Sequence, residues 1–122
     1  MTQLPFNRIL NEMITTTEGA IAAVFLDYEG ETVAVLTNGL SADDVKVIGA
    51  YQGIFFTRLR NLCDRVEAGT IDRFKFDFPG AKILSIDLKD GYYVTLVVRH
   101  ESNEGVAWQH LGACRDRLLA EM

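Results

Sequence analysis

The string His100-Glu101-Ser102-Asn103-Glu104 looks the most catalytic in the chain. It reads H-E-x-x-E. A zinc-protease helix needs two histidines four apart on one face, with the glutamate as general base. Here the second histidine is replaced by glutamate, and the string falls between an expected strand and an expected helix. The better reading is a polar loop in which Ser102 or Asn103 caps the helix and Glu104 sits in its first turn. Asp27, Glu29 and Glu31 crowd one turn, but their spacing fits neither a calcium loop nor a buried carboxylate dyad. His110, beside Leu111, reads as a surface histidine. Cys63 and Cys114 lie in no basic motif of the kind that makes a thiolate nucleophile, so both read as reduced structural thiols. No glycine precedes Lys-Ser or Lys-Thr, and G-x-G-x-x-G, C-x-x-C and G-x-S-x-G do not occur. No catalytic residue, cofactor or metal site is therefore assigned, and the chain alone is not expected to hydrolyse nucleotides.

Recognition chemistry is what remains. Arg58, Arg60 and Arg65 lie close together on a stretch with helical periodicity, where they form either a solvated face or a partner-binding one. Phe55, Phe56, Phe74, Phe76 and Phe78 could stack on bases, but such a platform needs basic neighbours to follow a phosphate backbone. The chain has 17 acidic and 12 basic residues, a net charge of −5. Without a basic cluster it offers no grip on nucleic acid and no attraction to an anionic membrane surface. The aromatics read as core.

These groups must be positioned by one domain spanning 1–122, since 122 residues leave little room for two cores. Hydrophobic residues at 48% and charged residues at 24% are ordinary globular values. The apolar uncharged stretches Gly19–Leu26 and Val47–Thr57 fall short of the ~20 residues of a membrane span. The start lacks the pattern of a signal peptide, so a cytoplasmic location is expected.

Pro5 suits a first helical turn, and Phe6, Ile9, Leu10, Met13 and Ile14 follow at helical spacing. Ala20–Asp27 is a short apolar run and reads as a strand covered on both faces. Glu29-Gly30 turns the chain into a second strand, Glu31–Thr37. Ser41 and Asp44 make a capping-box-like pair at the head of a long helix, Ala42 to Glu67. Along it Val45, Ile48, Tyr51, Phe55, Leu59, Leu62 and Val66 form the predicted core stripe. Thr70–Phe78 alternates, with Phe74, Phe76 and Phe78 opposite Arg73, Lys75 and Asp77. Two more strands, Ala81–Leu88 and Tyr92–Arg99, flank the hairpin signal Asp90-Gly91. A last helix carries Trp108, Leu111, Cys114 or Arg115, and Leu118. The hairpins make the sheet largely antiparallel, and a first strand apolar on both faces calls for helices on both sides.

Two glycines stand out. Gly49 and Gly53 lie four apart inside the long helix, where each costs ~1 kcal/mol relative to alanine. Counted from the predicted stripe they fall on one flank with Phe56 and Arg60. That flank is expected to face away from the sheet and to let the helix of a second copy approach closely, giving a two-fold homodimer.

The run Thr17-Glu18-Gly19-Ala20-Ile21-Ala22-Ala23-Val24-Phe25-Leu26-Asp27-Tyr28-Glu29-Gly30-Glu31-Thr32-Val33-Ala34 resembles the opening of the Roadblock family, the dynein-light-chain-like domains that include the MglB type. The order helix, two strands, long helix, three strands, helix matches over the whole chain. The resemblance implies a five-stranded antiparallel α+β sheet in the order 2-1-5-4-3, with the long middle helix on one face and the two terminal helices on the other. It implies dimers that join their third strands and pack their second helices, which brings Arg73 and Lys75 into the expected dimer interface with Gly49, Gly53, Phe56 and Arg60. It further implies a non-enzymatic scaffold for a small Ras-like GTPase, whose GTP hydrolysis some members stimulate. Val47, Ile54, Arg58 and Arg65, off the predicted stripe, are the candidate partner-binding residues. The alternative is a small-molecule sensor of profilin, PAS or GAF-like plan, which needs a pocket between sheet and helix.

Overall fold

A computed structural model describes residues 4–122. The elements run α1 (Leu4–Thr16), β1 (Ala20–Leu26), β2 (Thr32–Thr37), α2 (Ala42–Arg65), β3 (Arg73–Asp77), β4 (Lys82–Asp87), β5 (Tyr93–Val98) and α3 (Glu104–Ala120). The strands form one five-stranded sheet in the order β2-β1-β5-β4-β3, with every pairing antiparallel. The architecture is the expected one, and local chemistry explains its punctuation. Gly19 takes φ +86° after α1, a left-handed stop that costs glycine nothing. The Asp27 carboxylate accepts the N–H groups of Glu29 and Glu31 at 2.9 and 3.0 Å, so the acidic turn is a side-chain-stapled hairpin. Asp90 and Gly91 both have positive φ, 54° and 81°, as the two-residue turn of a right-twisted hairpin requires. Ser41 and Asn103 cap α2 and α3 by accepting the N–H groups of Asp44 and Val106.

Two apolar layers sandwich the sheet. One lies under α1 and α3 and includes Phe6, Leu10, Met13, Phe25, Leu96, Leu111 and Leu118. The other lies under α2 and includes Ala22, Val24, Leu26, Val45, Phe56, Tyr93 and Val97. β1 and β5 contribute to both, which is why Ala20–Leu26 is almost uniformly apolar.

The rotation of α2 departs from the sequence-based expectation. Its buried residues are Val45, Gly49, Gln52 and Phe56. Of the predicted core stripe, Tyr51, Leu62 and Val66 are exposed and Ile48, Phe55 and Leu59 only half-buried. At ~100° per residue the sheet-facing line is displaced from that stripe by about a quarter turn. The glycine flank is thus the sheet face, and the expectation that Gly49 and Gly53 face a second copy is overturned. A Cβ at Gly49 would lie 2.9 Å from methyl carbons of both Val24 and Leu26, and one at Gly53 would lie 2.4 Å from the Tyr93 hydroxyl. The glycines let the helix backbone settle onto large sheet side chains. The Tyr93 hydroxyl then donates to the Gly49 carbonyl at 2.9 Å. Beside it Gln52 is buried because Ser85 donates to its carbonyl oxygen at 3.1 Å, while Ser85 also bonds Thr95 at 2.7 Å. A buried polar trio with partners is tolerable where an unpaired group is not.

Candidate partner-binding surface

With α2 turned this way, its other two sides carry unusual surface. Val47, Ile54, Arg58 and Arg65 lie diametrically opposite the sheet-facing line at ~100° per residue. Val47 is 55% and Ile54 48% exposed, and both arginines are exposed. The structure therefore brings the four partner-binding candidates onto one outward stripe.

A second surface lies on the flank that leans over β3. Phe55, Leu59, Leu62 and Val66 follow one another at spacings of four, three and four. Leu62 is 45% and Val66 61% exposed. The Phe55 ring packs on Phe76 with centroids 4.8 Å apart, and Phe76 stacks on Phe78 at 6.2 Å. Phe78 itself is 48% exposed. The β3 phenylalanines are thus a half-covered ridge rather than the fully buried face that strict alternation suggests. The ridge adjoins β3, an edge strand. Apolar residues massed on one side of a small domain mark an interaction surface, whereas isolated ones do not.

The six residues expected at a dimer interface are engaged inside the chain. Gly49, Gly53 and Phe56 sit against the sheet. Arg60 pairs with Asp87 at 2.8 Å and lies over the Phe56 ring at 5.1 Å. Arg73 stacks on Trp108 at 4.6 Å, and Lys75 bonds Glu104 at 2.8 Å. The hydrogen bond from Lys75 holds the Glu104 carboxyl below the usual carboxylate range. Trp108 adds a bond to its other oxygen at 3.3 Å, so β3 is clamped to the start of α3. The signal for this clamp was present in the sequence, as Arg73 and Lys75 on one face of a strand and Glu104 and Trp108 one turn apart on a helix.

The residues weighed for catalysis scatter. His100 lies 3.2 Å from Asp77, and His110 bonds the Thr17 hydroxyl at 2.8 Å between α1 and α3, so His110 ties helices together rather than lying free on the surface. Both cysteines are free. Burial pushes the Cys114 thiol up to about 12, which leaves it inert as a nucleophile at neutral pH. Among the described residues no group of three or more His, Cys, Asp or Glu side chains is placed to hold a metal ion. No described helix is long and apolar enough to cross a membrane.

The class these features define is a sandwich of α2, an antiparallel sheet and the α1–α3 pair, and this is the Roadblock/LC7 fold. The gliding protein MglB of Thermus thermophilus superimposes with a TM-score of 0.86 over 97% of this chain and 88% of its own, at 12% identity. A Roadblock/LC7 domain from Streptomyces avermitilis gives 0.83 over 92% of both chains, at 13% identity. An MglB with a tetrameric arrangement gives 0.86 over 98% and 91%, at 14% identity. No protein-family model and no curated protein sequence matches this chain. At such identities the likeness is one of fold.

Proposed function

We propose that the protein is a cytoplasmic, non-enzymatic scaffold or regulator that forms a homodimer and binds a small Ras-like GTPase, with stimulation of that partner's GTP hydrolysis as a candidate activity. The observation that carries the reading is the outward stripe of α2. It presents Val47 and Ile54 beside Arg58 and Arg65 on a helix already anchored by its opposite face. Apolar contacts flanked by exposed arginines suit a protein partner with an acidic surface. The MglB fold supports the choice of partner class, because the Roadblock resemblance implies a Ras-like GTPase. Homodimerisation is supported by the neighbouring ridge of Phe55, Leu62, Val66, Phe76 and Phe78 along the open edge of β3. The sensor alternative needs space between α2 and the sheet, and Gly49 closes that contact so tightly that a methyl group would overlap its neighbours.

The test is a binding titration against Ras-like GTPases loaded with GTP or with GDP. Saturable binding that prefers one nucleotide state is expected. Arg58→Glu with Arg65→Glu should weaken it about tenfold or more and flatten its salt dependence. Unchanged affinity and unchanged salt dependence in the double variant would move the site off this stripe.

A further inference from the structure

The two edges of the sheet are built differently. β3 carries Arg73, Lys75 and Asp77 among its five residues, and the first two are held by α3. β2 reads Thr-Val-Ala-Val-Leu-Thr, with neither charge nor proline. Among the described residues it pairs with β1 on one side and with nothing on the other. Proteins usually blunt such an edge with lysine, proline or a bulge. The irregularity here lies opposite Phe25/Leu26, at the hairpin end, and leaves the pairing of 34–37 regular.

The direction of the free groups follows from the ladder. The Asn38 N–H donates to the Ile21 carbonyl at 2.6 Å. Backbone groups of alternate residues point to opposite sides of a strand, so Leu36 and Ala34 also face β1. Val35 and Thr37 direct their N–H and C=O groups away from the sheet. The β2 side chains are already used: Ala34 and Leu36 pack on the α1 side, Val35 on the α2 side. What the edge offers a partner is its backbone, with Thr37 exposed beside it.

Charge decides the occupant. Glu29 and Glu31 lie just before β2, and Asp43 and Asp44 open α2 just after it, all four exposed. A second copy of β2 paired antiparallel about Val35 would set Glu29 opposite Ser41 and bring glutamates of one copy toward aspartates of the other. Like charges so placed disfavour self-pairing. We propose that the β2 edge takes an extended segment of another polypeptide, uncharged and β-prone in its middle and flanked by lysine or arginine, which adds a sixth strand through the backbones of Val35 and Thr37. Strand addition of this kind draws affinity from main-chain hydrogen bonds and selectivity from what flanks them. The surface lies on the sheet edge remote from β3 and stands with or without the GTPase reading.

The experiment titrates the full chain into a fluorescent synthetic octapeptide, Lys-Lys-Val-Thr-Val-Thr-Lys-Lys, and follows amide exchange by NMR. Expected are saturable, salt-weakened binding and new protection of the Val35 and Thr37 amides, with Ala34 and Leu36 protected throughout. A Glu-flanked octapeptide of the same centre should not bind. Val35→Pro deletes an outward N–H, the one place where an edge strand accepts proline. It should weaken the octapeptide about tenfold, roughly the worth of one hydrogen bond. Should that variant not fold, the exchange pattern of the unmodified chain decides. Absence of saturable binding, binding without protection at Val35 and Thr37, or equal binding of the Glu-flanked peptide would overturn the proposal. So would protection of both amides in the free chain that disappears on dilution, since that assigns the edge to a second copy.

Discussion

Tyr93 is the residue on which the seating of α2 turns. Its ring is buried against Phe56 and its hydroxyl reaches the Gly49 carbonyl. Gly53→Ala sets two effects against each other. Alanine favours the helix by ~1 kcal/mol, but its Cβ would meet the Tyr93 hydroxyl at 2.4 Å. Overpacking of this kind costs about 1–3 kcal/mol, so net destabilisation is expected in urea unfolding. Tyr93→Phe alone should destabilise by about 1 kcal/mol through the lost hydrogen bond. In the double variant the closest approach relaxes from 2.4 Å at the hydroxyl to 3.1 Å at the ring carbon, so most of the clash is relieved and the two effects should be clearly non-additive. Additive effects would mean the hydroxyl is not what excludes a side chain at Gly53. Burial also pushes the Tyr93 phenol up, to about 12. The folded chain thus holds this proton where the unfolded chain, with an ordinary tyrosine, releases it. The stabilisation is fully present below pH ~10 and is lost as the pH rises from there toward about 12. Tyr93→Phe should flatten that alkaline decline in a stability–pH profile.

At the scale of elements, α2 shows what the sequence does and does not disclose. Strand positions were legible because alternation, Asp90-Gly91 and the acidic hairpin are local signals. Helix ends were legible from Ser41 and Asn103. The rotation of α2 was not, because periodicity finds the most apolar stripe and assumes the core lies there. In this helix the sheet-facing line is Val45, Gly49, Gln52 and Phe56, which on hydropathy is the poorer one. Gly49 and Gln52 win that place, with Gly53 beside them, through close approach and a buried hydrogen bond, and neither is visible without the opposing Tyr93, Leu26 and Ser85. The same error displaced the dimer residues, while Val47, Ile54, Arg58 and Arg65, which lie off the most apolar stripe, keep a common face because they share one angular position whatever the rotation of the helix. The clamp between β3 and α3 gives a further expectation. Glu104→Gln leaves Lys75 without its anion, and an exposed, solvent-screened pair adds little to stability. Global stability should scarcely change, whereas amide exchange in β3 should quicken. Exchange in β3 as slow as before would show that Arg73 on Trp108 suffices to hold the strand.

At the scale of the molecule, two apolar layers account for stability, and the flank of α2 beside β3 adds to neither of them. Leu62, Val66 and Phe78 expose surface that a free monomer gains nothing by displaying. In the proposed homodimer a second copy covers this flank, with the sheet edge of β3 beside it and the outward stripe left for the GTPase. The direct measurement is the solution mass by light scattering over a concentration series, for the native chain and for Leu62→Glu with Val66→Glu. About twice the 13.6 kDa chain mass is expected for the native protein. The variant should show the single-chain mass with the same helical circular dichroism, since neither side chain is buried in the monomer. A native protein that stays at 13.6 kDa at every concentration, or a variant that remains a dimer, would contradict the proposed dimer.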